Sequence, residues 1–409
     1  MLTALEQGVK GGKWFSLYDK VFAEQTLFAA ARHVTADYKK TAGVDHVTPE
    51  HYQRKILENV RQLADELQSG TYAPQPVRRC WIPKLGSKEK RPLGIPTIRD
   101  RVVQTALRDV IEPVFERDFA EHSYGFRPGR GCKDALRRVD TLLKEGYTIV
   151  VDVDLKSYFD TIPHEQLLDC IREKVSDGRV LKLIEQFLTQ GIMDGLREWT
   201  PEEGSPQGAV VSPLLSNIYL DPLDHLMAEQ GFEMVRYADD FVILCRSRED
   251  AETALTSIQT WTVAAGLTIH PTKTKIVDAI TEGFDFLGYH FEHGDRYPRA
   301  KSLQKLRDTI RATTRRANGH SLKSIIANVN TTLRGWFGYF KHATKWYVFE
   351  NLDRWIRMRL RSILRKRSGR RGKARSGKDN QRWTLAFFAQ HGLFNLEAAH
   401  RKASQSFKR

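Results

Sequence analysis

Two adjacent carboxylates, Asp239 and Asp240, stand between apolar, β-leaning runs at 232–236 and 241–245. The pattern predicts a hairpin whose tight turn presents both acids. Alone, an Asp-Asp pair most often marks a solvated turn. A second acidic strand changes its weight. Residues 148–155 are also β-rich, and the period of two puts Asp152 and Asp154 on one face of that strand. Bringing the two elements together gathers like charges within a few ångströms, which cations must neutralise. Mg²⁺ binds one or two carboxylates plus substrate phosphates. Two such ions, roughly 3.5–4 Å apart, clamp the attacking and leaving oxygens of an in-line phosphoryl displacement. The arrangement points to a nucleotide-polymerising site.

The 409 residues leave room for two to three domains with a substantial core. No apolar run approaches the roughly 18 residues of a membrane span, and residues 1–14 lack the apolar stretch of a secretory signal. Cys80, Cys132, Cys170 and Cys245 are far apart and form no paired-thiol motif, which fits a reducing cytoplasm and no zinc site. Charge divides the chain. Residues 299–409 carry 28 Lys and Arg against 5 Asp and Glu, whereas the remainder carries 37 against 45. A basic C-terminal part beside an acidic catalytic part implies a polyanionic partner gripped from the C-terminal side. Trp336, Trp346, Trp355 and Trp383 lie in the basic part, and disordered tails are poor in aromatics.

Apolar spacing predicts a first helix over about 14–34 and a second starting at Thr48-Pro49-Glu50. Extended segments at 77–83 and 92–96 flank a charged loop, and 100–115 resumes helical spacing. Further helices are expected at 180–188 and from the hairpin to about Gly266, with a short strand pair at 284–291. Strands and helices out of strict alternation predict an α+β palm rather than a doubly wound sheet. After Pro298 the pattern changes to apolar helical stripes, Leu322 to Trp336 and Phe349 to Ile363, with arginines elsewhere around the helix. Residues 368–379 read as a flexible linker and 382–400 as a block apolar enough to dock back.

Several blocks in order resemble the reverse transcriptase/maturase proteins encoded by bacterial group II introns. They are Trp81-Ile82-Pro83-Lys84 with Arg91-Pro92-Leu93-Gly94-Ile95-Pro96; Ser123-Tyr124-Gly125-Phe126-Arg127-Pro128; Asp154-Leu155-Lys156-Ser157-Tyr158-Phe159-Asp160; Pro206-Gln207-Gly208 with Ser212-Pro213-Leu214-Leu215; Tyr237-Ala238-Asp239-Asp240; Lys273-Thr274; and Phe286-Leu287-Gly288. Leu333-Arg334-Gly335-Trp336 is similar to the maturase or thumb region of that family.

The resemblance implies a right-hand polymerase with fingers and palm followed by an all-α thumb/maturase domain. Its catalytic acids would be Asp154, Asp239 and Asp240, and its metal site these three with Leu155, holding two Mg²⁺ that Mn²⁺ can replace. Asp152 stays open between a supporting and a merely hydrated acid. Lys84, Arg91, Phe159, Gln207 and Lys273 would contact the nucleotide, with Phe159 barring a ribose 2′-OH. Tyr237 would lie against the primer end, and Arg127 would touch template phosphate or brace the fingers. Arg334, Trp336, Arg354, Arg357 and Arg361 would bind RNA.

The implied organisation is an N-terminal extension over 1–45, fingers and palm over 46–298, thumb/maturase over 299–367, and a basic linker and tail over 368–409. Implied partners are an RNA template, a DNA or RNA primer, dNTPs, group II intron RNA and target DNA, but no membrane. The setting would be the bacterial cytoplasm, at the nucleoid when acting on DNA. No cysteine follows Cys245, so a cysteine-bearing endonuclease module of the kind many relatives carry is not expected. Two other readings stand beside this one: a domesticated reverse transcriptase in repair or phage defence, and an RNA-binding splicing factor without polymerase activity.

Overall fold

The computed structural model describes residues 12–37, 41–83, 90–317, 319–370, 372 and 376–406. The chain divides into two compact units, 1–277 and 278–409.

The first unit is α+β. One four-stranded sheet has the order β2-β1-β4-β5, from Val77–Pro83 (β1), Lys90–Ile95 (β2), Ile192–Asp194 (β4) and Arg197–Trp199 (β5). A second has the order β6-β7-β3-β8, from Ile149–Asp154 (β3), Glu233–Tyr237 (β6), Asp240–Cys245 (β7) and Lys275–Asp278 (β8). Strand β7 lies between two partners, and Phe241 to Cys245 are all buried. Cover on both faces explains why this strand reads as an unbroken apolar run rather than an alternation. Helices Ser212–Glu229 and Arg248–Ala264 pack on this sheet. The helix Ile98–Glu116 runs through the core with apolar residues buried around most of its circumference. Its N-terminus is capped by Thr97, whose hydroxyl accepts from the Asp100 amide at 3.1 Å.

The second unit opens on a meander of Phe284–Phe286 (β9), Tyr289–Glu292 (β10) and Asp295–Pro298 (β11). The helices Ala300–Thr313, Leu322–Phe340 and Tyr347–Arg367 follow. The compact-unit boundary falls about twenty residues before the change of pattern at Pro298, because the meander packs with these helices. Tyr289 stacks on Tyr339 and Phe340 with centroids 5.8 and 5.0 Å apart, and its hydroxyl donates to the Tyr339 carbonyl.

Short helices Gly377–Arg382, Leu385–Gln390 and Leu396–Ser406 end the described chain. They dock through Phe388 and Leu396, both buried, and through His400, which stacks on Phe349 at 4.5 Å. Asp353 caps the last helix by accepting from the Leu396 and Glu397 amides at 3.1 and 3.0 Å. Among the described residues no helix is long and apolar enough to cross a membrane.

Candidate active site

Strand register assembles the acids. β3 and β7 pair antiparallel with Asp154 opposite Asp240, while β6 and β7 form a hairpin with Tyr237 opposite Asp240. Ala238 and Asp239 are therefore the two residues of the turn. Directly opposite residues share a face with Cβ atoms about 4.5–5.5 Å apart, so the register places Asp154 beside Asp240 and sets Asp239 at the adjoining tip. Asp152 lies one step further along the same face, opposite Val242.

Burial raises the Asp239 carboxyl above its ordinary value. The Asp154 charge adds to that shift, whereas Asp239's own backbone amide, Arg91 and Arg236 oppose it. Lys273 Nζ sits 3.2 and 3.3 Å from the two Asp154 oxygens, and the neighbouring Thr274 hydroxyl accepts from the Asp154 amide at 3.3 Å. The Lys-Thr pair thus holds Asp154 by side chain and backbone.

Leu155 contributes differently. Its side chain is buried, and it bridges antiparallel to Ile269 through the flanking bonds Lys156 N–H to Thr268 and His270 N–H to Asp154. Since successive carbonyls alternate along an extended chain, the Leu155 carbonyl faces away from residues 268–270. A backbone oxygen is what it could offer a cation. Among the described residues no three Asp, Glu, His or Cys side chains close into a ready-made ion cage. The donor set fits a hard divalent cation nonetheless, because Mg²⁺ takes one or two carboxylates and completes its shell with water and substrate phosphate.

A cavity of about 510 Å³ is lined by Arg79, Phe159, Asp160, Trp199 and Gln207 among others. Gln207 Nε2 donates to Asp160 Oδ2 at 3.4 Å, and the Ser205 amide donates to the Phe159 carbonyl at 2.7 Å. Phe159 meets Tyr158 edge-on with centroids 5.5 Å apart, leaving the ring half-buried in the cavity wall. Gly208 needs its positive φ of 106°, and any Cβ there would strike the backbone and side chain of Gly94 and Leu93. That contact lets the Gln207 carbonyl accept from the Gly94 amide at 2.7 Å, tying the turn to β2.

Arg91 is exposed on β2, and its charge acts on both Asp160 and Asp239. Sequence reasoning overlooked Asp160, Arg79 and Trp199. The Arg79 guanidinium lies 4.6 Å from the Trp199 ring centroid and 5.4 Å from that of Trp81. No periodicity signals this stack, because Trp199 comes from a distant three-residue strand.

The turn itself is strained and braced. Ala238 adopts φ +60°, where glycine is usual, and Phe126 and Ser157 nearby have φ +58° and +52°. Left-handed backbone costs an L-residue roughly 1–2 kcal/mol, and such residues cluster where function holds them. A Cβ on Gly125 would sit 2.8 Å from the Tyr237 carbonyl carbon and closer still to the Ala238 nitrogen, so only glycine fits. The Tyr237 ring lies 6.4 Å from Phe126, and a hydrogen bond with Cys132, then burial, push its phenol up to about 12.

Some expected site residues are placed otherwise. Lys84 lies outside the described residues. Arg127 does not reach toward a template. Its side chain is 2% exposed, its Nε and terminal nitrogens bond Glu116, and Nη1 donates to the Ala120 and Ser123 carbonyls at 2.6 and 2.9 Å. It is the brace of that loop.

In the second unit, Arg361 is buried with Nε donating to the Trp383 carbonyl at 2.8 Å, so it holds the C-terminal segment rather than facing outward. Trp336 packs on Phe340 and Phe349 at 4.7 and 6.0 Å, and its buried indole N–H has no partner among the described residues. Arg357 is half-buried, and burial lowers its basicity. Arg354 is exposed and pairs with Glu350 one turn away, and Arg334 is exposed over the Phe394 ring.

Comparison with known proteins agrees with this architecture. Residues 82–291 match the reverse transcriptase (RNA-dependent DNA polymerase) family, and residues 303–383 match the group II intron maturase-specific domain. Protein YkfC of Escherichia coli is 34% identical over 311 residues, covering 66% of this chain and 81% of its own length. The group II intron-encoded protein LtrA of Lactococcus lactis is 41% identical over 174 residues, 42% of this chain and 28% of LtrA. A 91 kDa protein of the cob intron in Schizosaccharomyces pombe is 32% identical over 304 residues, 60% of this chain and 37% of that protein. The chain thus spans most of YkfC but well under half of the two larger relatives. Reverse transcriptases work with divalent metal ions on nucleic-acid templates. With the reverse transcriptase family matched over residues 82–291 and the maturase-specific domain following it, the chain belongs to the group II intron reverse transcriptase/maturase family.

Proposed function

We propose that the protein copies intron RNA into cDNA by nucleotidyl transfer and, through its C-terminal unit, assists splicing of the group II intron RNA. The observation that carries the polymerase half is the pairing of Asp154 with Asp240 across β3 and β7, with Asp239 in the connecting turn. Asp154, Asp239, Asp240 and the Leu155 carbonyl would hold two Mg²⁺. Those ions would neutralise charge on the α-phosphate and on the attacking and leaving oxygens.

The protein's own groups do the rest. Arg91 supplies positive charge beside both Asp239 and Asp160, where a triphosphate would bring negative charge. The Phe159 ring forms a floor that a 2′-OH would strike, so deoxynucleotides are favoured. Gln207, anchored on Asp160, presents its amide in the same cavity. Tyr237 lies beside the acids where the primer end would arrive, and Lys273 holds the Asp154 carboxylate in place.

RNA binding has separate support in the second unit. Arg311, Arg316, Arg359 and Trp355 wall a cavity of about 230 Å³, with guanidiniums of Arg311 and Arg359 5.8 and 5.7 Å from the Trp355 ring. Cations around an aromatic suit backbone phosphates and stacked bases. Together with exposed Arg334 and Arg354, this surface is the better site for RNA phosphates than the buried Arg361. Target DNA would be met by the same polymerase–RNA assembly in the bacterial cytoplasm, at the nucleoid. The test is extension of a DNA primer on an RNA template by the purified chain. Mg²⁺-dependent incorporation of dNTPs, lost on chelation and restored by Mg²⁺, supports the reading. Tight RNA binding without any extension would instead make the protein a splicing factor alone.

A further inference from the structure

One charged residue of the catalytic hairpin never meets substrate. Arg236 precedes Tyr237 on β6 and is 0% exposed, among the largest fully buried side chains of the protein. Its guanidinium bonds three residues on two elements. Nε donates to the two Asp224 oxygens at 2.7 and 3.0 Å, and Nη2 also bonds that carboxylate. Nη1 donates to Asn217 Oδ1 at 3.0 Å and to the Ala238 carbonyl at 3.1 Å. Asn217 in turn donates from Nδ2 to the Gly125 carbonyl at 2.8 Å. Asn217 and Asp224 lie on the helix Ser212–Glu229, and Gly125 belongs to the loop pressed against the Ala238 backbone. Residues 122–124 complete the enclosure: the Tyr124 amide donates to the Arg236 carbonyl at 2.8 Å, and the Arg236 amide donates to the His122 carbonyl at 3.0 Å.

Stability alone explains this poorly. A buried ion pair roughly breaks even against a well-packed apolar pair, because desolvation consumes the attraction. What an apolar pair could not do is hold the carbonyl of a left-handed alanine. Ala238 is the residue between Tyr237 and Asp239, so the orientation of its peptide sets the direction in which the Asp239 carboxylate leaves the turn. We propose that Arg236 is a positioning residue for Asp239: with Asn217 and Gly125 it fixes the strained Ala238 turn and so aims the carboxylate without touching substrate. The inference rests on the reading of Asp239 as a catalytic acid.

Two conservative variants of the full chain test it. Arg236→Lys keeps a cation opposite Asp224, but one ammonium cannot also reach Asn217 and Ala238. Asn217→Asp keeps an oxygen for Arg236 but replaces the donor to Gly125 with a carboxylate oxygen that repels the Gly125 carbonyl. Misplacement by about 1 Å can cost roughly 10²-fold in rate. Each variant should therefore lose kcat for RNA-templated extension on that scale while KM for dNTP and primer–template affinity stay at parental values, with the Mg²⁺ concentration for half-maximal rate raised. Hydrogen exchange should quicken in the peptide spanning residues 235–241 and stay parental in β3.

Parental kcat in folded Asn217→Asp with parental exchange across the hairpin would overturn the proposal, and Arg236→Lys would then report stability only. Should Arg236→Lys not fold, Asn217→Asp decides. If instead Asp239→Asn itself extends primers normally, the polymerase assignment of Asp239 fails, an outcome separate from loss of the brace.

Discussion

Arg236 in the first unit and Arg361 in the second are both buried arginines that donate to backbone carbonyls, yet they serve different ends. Arg236 lies under the turn that carries Asp239, inside residues 1–298, where 45 acids outnumber 37 bases. Arg361 anchors a C-terminal segment, inside the region with 28 bases against 5 acids. Over residues 1–298 bases are outnumbered by acids, and Arg236 directs its charge inward, to Asp224, Asn217 and the Ala238 carbonyl. Over residues 299–409 bases are in large excess, and part of that charge is consumed internally: Arg361 on Trp383 and Arg365 on Asp379. Net charge therefore marks the half of the chain proposed to bind a polyanion but not the residues that would do so.

The comparison can be broken first at the cavity wall. Phe159→Ala should raise ribonucleotide relative to deoxynucleotide incorporation by roughly 10–200-fold, the scale on which a pocket discriminates small groups. The readout is both nucleotide classes on one primer–template. An unchanged ratio with activity retained would make Phe159 a packing residue and detach the cavity from sugar selection.

Arg361→Leu sharpens the contrast with Arg236. It leaves the Trp383 carbonyl unpaired and should lower the stability of the second unit by about 1–3 kcal/mol, read as a shift in its unfolding transition. RNA-templated extension at saturating primer–template should stay at the parental level. A variant of parental stability with weakened RNA binding would return Arg361 to the RNA-contacting set.

The smallest stability effect belongs to Arg354→Glu. Exposed substitutions rarely change stability by more than about 0.5 kcal/mol, and the Glu350 pair it breaks is of the exposed kind worth little. RNA affinity should nevertheless weaken, and the slope of log K against log salt should flatten by about 0.7–0.9 for each phosphate no longer neutralised. An unchanged slope would confine RNA phosphates to other residues, such as those around Trp355.

How much of this was legible follows from the kind of contact involved. The acids were readable because hairpin register is local: four residues between apolar runs locate the turn, although the structure puts Asp240 on β7 and only Asp239 in the turn, and the period of two puts Asp154 on a definite face. The cavity was half readable. Phe159 and Gln207 lie within recognisable blocks, but Arg79 and Trp199 meet only through the parallel pairing of β1 with β4, more than a hundred residues apart. Of the two roles open to Arg127 the structure shows the brace, on Glu116 and the Ala120 and Ser123 carbonyls, whereas Arg361 was misread because its partner is the backbone carbonyl of Trp383, which leaves no trace in residue type. Arg236 did leave one. A lone charge between Val235 and Tyr237 in an apolar strand is costly unless paired, and that cost was the available signal.

The central claim is that Asp239, carried on the braced Ala238 turn beside Asp154 and Asp240, performs RNA-templated DNA synthesis. Its most direct test is single-turnover primer extension on RNA by Asp239→Asn. The substitution keeps the shape of the turn and removes one charge from the acid cluster. The account predicts a rate lowered by roughly 10²–10³-fold or more, with primer–template affinity and the unfolding temperature held at parental values. Extension at the parental rate by the folded variant would contradict it.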